Sequence, residues 1–298
     1  MEKVLEINHL TKKFGRLTAV NDLSFSVEKG NVYGLLGPNG SGKSTTLGMI
    51  LNVVNATEGN WRWFGQEHSI DALKKVGAII ERPNFYPYLS AEKNLEIVAQ
   101  IKGADYSKID EKLEIVGLID RKKDKFSTFS LGMKQRLAIA AALLNDPYVL
   151  ILDEPTNGLD PQGIIQIREI IKQIAAGGTT IILASHLLDE VEKVCSHVVI
   201  LEKGKTLYSG RVDEMTASFG YFELSASDNK ILKTVLESLE FFEKITANET
   251  HLKAILSLDL SAESLNRMLF EKNIILTHLV KRKESLEQQF LQITQNRN

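Results

Sequence analysis

Apolar and polar residues alternate along residues 4–10 and 23–27, the pattern of half-buried strands, with Lys12, Lys13, Phe14, Gly15 and Arg16 as the turn between them. The apolar run Val32, Tyr33, Gly34, Leu35, Leu36 predicts a further strand, and Leu47, Ile50, Leu51 and Val54 share one helical face just beyond it. Residues 60–64 read as a short strand with Trp61 and Trp63 on one side, and residues 76–80 as another. Pro83 and Pro87 exclude a continuous helix after that. Ser90 is then an N-cap, with Glu92 in the first turn of a helix carrying Leu95, Ile97, Val98 and Ile101. The pattern stays helical to about residue 144, with Gly103 and Gly117 as breaks, which predicts an inserted helical subdomain.

Residues 148–152 form an unbroken apolar run between Pro147 and Asp153, as expected of a strand buried on both faces of a parallel sheet. Asp160 and Pro161 open the next helix, whose buried face is Ile164, Ile167, Ile171 and Ile174. Gly177 and Gly178 end it; residues 179–184 repeat the buried-strand pattern, and residues 198–201 and 206–208 make a hairpin about Lys203 and Gly204. Past Gly210 the character changes. Strand patterns at 221–226, 252–260 and 274–280 alternate with helical ones at 231–239, at Leu265, Met268 and Leu269, and at Leu286, Phe290 and Ile293. A small α+β appendage follows, dividing the chain into residues 1–212 and 213–298, with the helical subdomain at about 86–144.

Composition changes this picture little. At 298 residues, 43% of them hydrophobic, the chain suits one large and one smaller domain. A net charge of −2 supplies no overall basic field, so wholesale nucleic-acid binding is not expected. The single cysteine, Cys195, lies among Val191, Val194 and Val198 and reads as a buried, inert thiol in a reducing compartment. The N-terminus lacks the pattern of a signal peptide and no stretch approaches the roughly 18 apolar residues of a membrane span, so the expected chain is soluble by itself.

Chemistry concentrates where the buried strands end. Gly37, Pro38, Asn39, Gly40, Ser41, Gly42, Lys43, Ser44 and Thr45 meet the pattern G-x-x-x-x-G-K-[ST] between a strand and a helix. Bare backbone amides there can wrap phosphate oxygens, Lys43 can place its charge on the β and γ phosphates, and the Ser44 hydroxyl can ligate Mg²⁺. This loop alone leaves kinase, GTPase and motor chemistries open. Asp153 and Glu154 follow a buried strand, where a carboxylate pair is placed for Mg²⁺, and Ser185 and His186 follow the next. Phe14 reads equally well as a nucleobase-stacking ring and as a surface aromatic covering a sheet edge.

The stretch Phe129, Ser130, Leu131, Gly132, Met133, Lys134, Gln135, Arg136 resembles the signature sequence of the ATP-binding subunits of ABC transporters, with Leu131 in place of the usual glycine. Phe14 then resembles that family's adenine-stacking aromatic, Asp153 and Glu154 its second Walker motif, Gly158, Leu159 and Asp160 its D-loop, and His186 its switch histidine. The resemblance implies an α/β P-loop NTPase (RecA-like) core with an antiparallel β subdomain, the helical insertion and the C-terminal α+β domain. It implies that two subunits, identical or closely related, close head to tail, with each ATP between one phosphate loop and the other subunit's Ser130 and Gly132, and with Asp160 as a further nucleotide-binding residue. Glu154 would activate the attacking water, with Lys43 and His186 as further catalytic groups, and Ser44, Asp153 and Glu81 would hold Mg²⁺.

Glu81 replaces the family's usual glutamine; it can ligate Mg²⁺ but cannot donate when ionised. Residues 81–95, with Phe85, Tyr86, Pro87 and Tyr88, look like those of bacitracin-type and lantibiotic-immunity exporters. That similarity implies an ATPase on the inner face of the membrane, held there by an integral permease that exports a peptide antibiotic or other amphipathic compound. The alternative is a soluble ATP-switched relative acting on ribosomes or DNA.

Overall fold

The computed structural model describes residues 2–67, 69–80, 84–215, 219–248, 250–282, 286–287 and 289–290. The chain divides into two compact units, Met1–Arg211 and Val212–Asn298.

In the first unit, β1 (Lys3–Phe14) and β2 (Leu17–Glu28) form a long hairpin, and β3 (Val32–Leu36) runs into the glycine loop and α1 (Lys43–Ile50). The predicted five-residue turn shrinks to Gly15 and Arg16, because Phe14 and Leu17 still pair across the hairpin. β4 (Glu58–Trp63) and β5 (Gln66–Glu67) complete an antiparallel sheet of order β2-β1-β4-β5. Trp61 and Trp63 share its inner face, and the Trp63 indole donates to the Ile50 carbonyl at the end of α1 (2.7 Å). Next come α2 (Ile70–Leu73), β6 (Val76–Ile79), and the helical region α3 (Ala91–Lys102), α4 (Ile109–Ile115) and α5 (Leu131–Leu143), with three single-turn 3₁₀ segments between them. Gly103 (φ 66°) and Gly117 (φ 63°) break the helices in left-handed conformations that glycine adopts freely.

The remaining elements of this unit are β7 (Val149–Asp153), α6 (Pro161–Ala176), β8 (Thr180–Ser185), α7 (Leu188–Val194), β9 (His197–Glu202) and β10 (Lys205–Arg211). They build a six-stranded sheet of order β10-β9-β3-β8-β7-β6, parallel except for β10. Every residue of β3, β7 and β8 is buried, which is why these strands read as unbroken apolar runs. One hydrophobic core, including Leu5, Trp61, Leu47, Ile151 and Ile182, joins the two sheets around α1. That enclosure corrects the expectation of a one-faced helix. α1 stops at Ile50 and is buried on nearly all sides, and Val54 reaches the same core from the turn beyond, its amide held by the Gly48 carbonyl (2.9 Å).

The second unit contains α8 (Val212–Met215), β11 (Tyr221–Ala226), α9 (Asn229–Glu237), β12 (Phe242–Ala247), β13 (Leu252–Leu256), α10 (Ala262–Glu271) and β14 (Leu276–Arg282). Its sheet order is β12-β13-β11-β14, all antiparallel, which is the β-α-β-β-α-β ferredoxin-like arrangement. Phe222, Leu224, Leu252 and Ala254 meet Leu232, Leu236, Leu265 and Leu269 in its core. β12 has no counterpart in the hydropathy pattern: only Phe242 and Ile245 are large and apolar, and Glu243 and Lys244 point outward on this edge strand. β13 ends at Leu256 instead of residue 260, and the predicted terminal helix at Leu286, Phe290 and Ile293 lies largely outside the described residues.

Candidate functional site

Three parallel strands deliver the site. β3 ends at Leu36, β7 at Asp153 and β8 at Ser185, neighbours at one edge of the sheet, and the parallel direction sends all three following loops to the same side. The glycine loop is pinned from two directions. Gly37 N donates to the Ser185 carbonyl (3.4 Å) and Gly204 N to the Ser41 carbonyl (3.1 Å). Two glycines are required sterically: a Cβ on Gly37 would lie 2.3 Å from the Leu201 carbonyl oxygen, and one on Gly42 (φ 104°) 2.6 Å from that of Ala19. Pro38, Asn39 and Gly40 are exposed, as is Ser44 in the first turn of α1, while Thr45 is half-buried. Gly42 caps α1 without a side-chain hydrogen bond, so the first amides of an eight-residue helix are left to meet an anion. The buried Ser41 hydroxyl has no hydrogen-bond partner among the described residues, which also fits a loop built around an anion.

Inside the loop, the Lys43 ammonium, 5% exposed, donates to the Gly37 carbonyl (2.7 Å) and lies 3.4 Å from Glu154 Oε1. The other Glu154 oxygen is 2.7 Å from His186 Nδ1. One carboxylate thus spans the phosphate-loop lysine and the histidine from the next strand end. Glu154 holds this place at φ 49°, with its amide on the Ala184 carbonyl (2.9 Å). Asp153 is 5% exposed at the end of β7. Among the described residues no group of three His, Cys, Asp or Glu side chains could hold a metal. The Asp153 carboxylate and Ser44 hydroxyl are a donor set suited to Mg²⁺, a hard ion that takes one or two protein oxygens and completes its shell with phosphate and water. Glu81 lies outside the described residues.

Ser130, Gly132 and Asp160 form a second cluster. They line a cavity of about 320 Å³ between the start of α5 and the loop before α6, to which the glycine loop contributes no residue. Ser130 and Asp160 cap their own helices, through Met133 N (3.3 Å) and Gly163 N (2.9 Å). Leu131, 47% exposed, projects over Gly158, and Leu159 over Gly132. Phe14 is exposed near the hairpin tip, with the Lys12 ammonium 4.7 Å from its ring centroid and held by the Asn55 carbonyl (2.7 Å).

A third feature lies between sheet and helices. Ile79, Phe85, Val98, Lys102 and Ala138 line a cleft of about 210 Å³ beside the exposed rings of Tyr86 and Tyr88. Burial lowers the pKa of Lys102, which donates to the Ala141 carbonyl (2.9 Å), to about 8. Asn94, 1% exposed, ties this turn down by accepting from Tyr86 N (2.8 Å) and donating to the carbonyls of Tyr86 and Ser90. The hydropathy pattern gives no sign of Asn94, because a polar residue in a helix reads as solvent-facing. Glu190, 2% exposed in α7, is hidden in the same way, and burial together with its charge pushes the Cys195 thiol up.

Comparison with known proteins agrees with this geometry. Residues 20–157 match the family described as ABC transporter. The bacitracin transport ATP-binding protein BcrA of Enterococcus faecalis is 38% identical over 296 residues, covering 97% of this chain and 96% of the relative. The lantibiotic transport ATP-binding protein SrtF of Streptococcus pyogenes is 43% identical over 210 residues, 70% of this chain and 92% of the relative. Among solved structures, a dimeric ATP-binding cassette in a post-hydrolysis state with ADP and Pi is 26% identical, with a TM-score of 0.62 over 70% of this chain and 98% of that one. The fold is that of ABC cassettes, and the chain belongs to the ABC transporter ATP-binding proteins, ATPases that work with a membrane permease.

Proposed function

We propose that this chain hydrolyses MgATP as one of two identical or closely related subunits and drives a permease that exports a peptide antibiotic or another amphipathic compound. The observation that carries the catalytic part is the contact of Glu154 with both Lys43 and His186 at the ends of three parallel strands. Glu154 accepts the proton of the attacking water, as a carboxylate beside a phosphate can, and His186 holds that carboxylate and faces the γ-phosphate. Lys43 leaves the Gly37 carbonyl for the β and γ phosphates, and the glycine-loop amides hold their oxygens. Ser44 and Asp153, and Glu81 by the family resemblance, would hold Mg²⁺, which would supply charge neutralisation at the phosphates.

The two-subunit reading is supported by the second cluster: Ser130, Gly132 and Asp160 line a cavity to which their own phosphate loop contributes no residue, and they complete the loop of a second subunit. Phe14 stacks on adenine. Export is supported by the names of BcrA and SrtF, which are transport proteins for bacitracin and a lantibiotic. A separate permease chain holds this one to the inner face of the membrane; no helix among the described residues is long and apolar enough to cross it. The apolar cleft with Tyr86 and Tyr88 is where a cytoplasmic helix of that permease docks. No nucleic acid is required, and the ribosome or DNA alternative has no observation in its favour.

The test is a pull-down of the Glu154→Gln chain from membranes with ATP and Mg²⁺, followed by mass spectrometry. A multi-span membrane protein is expected; ribosomal or DNA-associated proteins alone would overturn the transport reading. Tyr86→Ala is expected to leave ATP binding intact and abolish transport, and unchanged transport would remove this cleft from the interface.

A further inference from the structure

The segment that carries His186 is clamped by a buried carboxylate which the hydrolysis scheme above does not use. β3 has a glycine, Gly34, where α7 crosses it; a Cβ there would come within 2.6 Å of Val191 Cγ1. That close crossing seats α7 against the sheet and carries Glu190, the residue before Val191, into the interior, where it is 2% exposed. Glu190 Oε2 accepts the hydroxyl proton of Ser185 (2.9 Å), itself fully buried. The same Ser185 oxygen accepts from Leu187 N (3.0 Å), and the Ser185 carbonyl accepts from Gly37 N (3.4 Å). A serine hydroxyl alone is a rotor with three staggered orientations. With its proton committed to Glu190, its lone pair is fixed toward the Leu187 amide. Both neighbours of His186 are thereby held, one through its side chain and the other through its amide.

A carboxylate is a costly way to fill this space. Glu190 Oε1 is buried with no hydrogen-bond partner among the described residues, and an apolar side chain would avoid that desolvation. Such a group persists where its hydrogen bond does something that packing cannot. We infer that Glu190 is a positioning residue for hydrolysis: through Ser185 it fixes the turn that aims His186 at Glu154 and the γ-phosphate, and it ties that turn to the first glycine of the phosphate loop. This rests on the reading of His186 given above. The Glu190 carboxylate is buried and accepts from Ser185, not from the glycine loop or Lys43, so its loss acts on kcat and leaves ATP binding to the loop amides and Lys43.

The experiment measures ATP hydrolysis by the full chain with ATP titrated over a wide range, for Glu190→Ala, Glu190→Gln, Ser185→Ala, His186→Ala and the double variant Glu190→Ala/His186→Ala. Glu190→Ala and Ser185→Ala are expected to lower kcat about tenfold with KM for ATP within about twofold of the parent. Glu190→Gln, whose amide oxygen accepts the same bond, is expected to stay within about threefold of the parent kcat. In the His186→Ala background, Glu190→Ala is expected to lower kcat no further, because residues acting through one another are not additive. Parent-like kcat in Glu190→Ala, equal damage from Glu190→Gln, or full additivity with His186→Ala would each overturn the inference while leaving the hydrolysis scheme standing. If His186→Ala itself retained parent activity, the scheme and the inference would fall together. Should Glu190→Ala not fold, Ser185→Ala and Glu190→Gln decide the matter by the same criteria.

Discussion

The two units of this chain use their sheets in opposite ways. In the first, β3, β7 and β8 are buried on both faces and run parallel, so their carboxyl ends coincide and three loops of different sequence meet. Lys43, Glu154 and His186 come from positions far apart in sequence and lie within hydrogen-bonding or ion-pair distance. In the second unit, neighbouring strands run antiparallel, so the ends of adjacent strands fall at opposite edges. Its polar groups pair between neighbouring elements without gathering at one strand end: Arg282 with Glu223 across two strands, and Lys281 with Asp259 and the Leu260 carbonyl. Strand direction decides whether a sheet gathers chemistry or only supports itself.

The largest expected effect that sharpens this contrast is at Glu154. Glu154→Gln keeps the shape and removes the proposed base, so hydrolysis measured by phosphate release should fall by about 100-fold or more while nucleotide binding survives. Undiminished hydrolysis would break the assignment of the carboxylate. A change of similar weight in stability, placed in the other unit, is Phe222→Ala, which removes a fully buried ring and should cost the second unit about 3–5 kcal/mol. Calorimetry should show the transition of the second unit lowered, and an unchanged thermogram would contradict the packing of Phe222 in that unit's core. Phe14→Ala should weaken ATP binding by the worth of one stacked base, about 1–3 kcal/mol, without lowering kcat at saturation. Smallest in functional consequence is Cys195. Burial raises its thiol pKa, so labelling by a thiol reagent at pH 8 should be slow in the native chain and complete in denaturant, and rapid native labelling would contradict the packing of α7 on β3.

The contrast also explains what the sequence makes legible. β3, β7 and β8 are visible as short apolar runs because both faces are buried, and the loops after them are visible because phosphate chemistry restricts their residues. β12 is invisible because an edge strand with one exposed face needs only Phe242 and Ile245. The length of α1 is misjudged because Val54 continues the helical spacing after the helix has ended, and nothing local reports that the chain turns at Leu51. Ile101 continues the apolar face of α3 by spacing yet is 80% exposed, since that face outruns the surface it covers. Asn94 and Glu190 are hidden for the converse reason. Their burial comes from what packs on them, and their own helices look amphipathic with or without it. Of the candidate site, the identities of Lys43, Glu154 and His186 can be read from the chain, but the shared carboxylate between lysine and histidine appears only when three strand ends are laid side by side.

Glu154 carries one more consequence, for the history of such chains. Its φ of 49° lies in a region that side chains other than glycine, asparagine and aspartate seldom adopt, at a cost on the order of 1–3 kcal/mol. Glycine would relieve that strain at once and, under the proposed role of Glu154, end catalysis with the same substitution. In a lineage released from the need to hydrolyse ATP, selection for thermal stability and loss of function would then favour the same replacement, so an inactive descendant should melt at a higher temperature than its working ancestor.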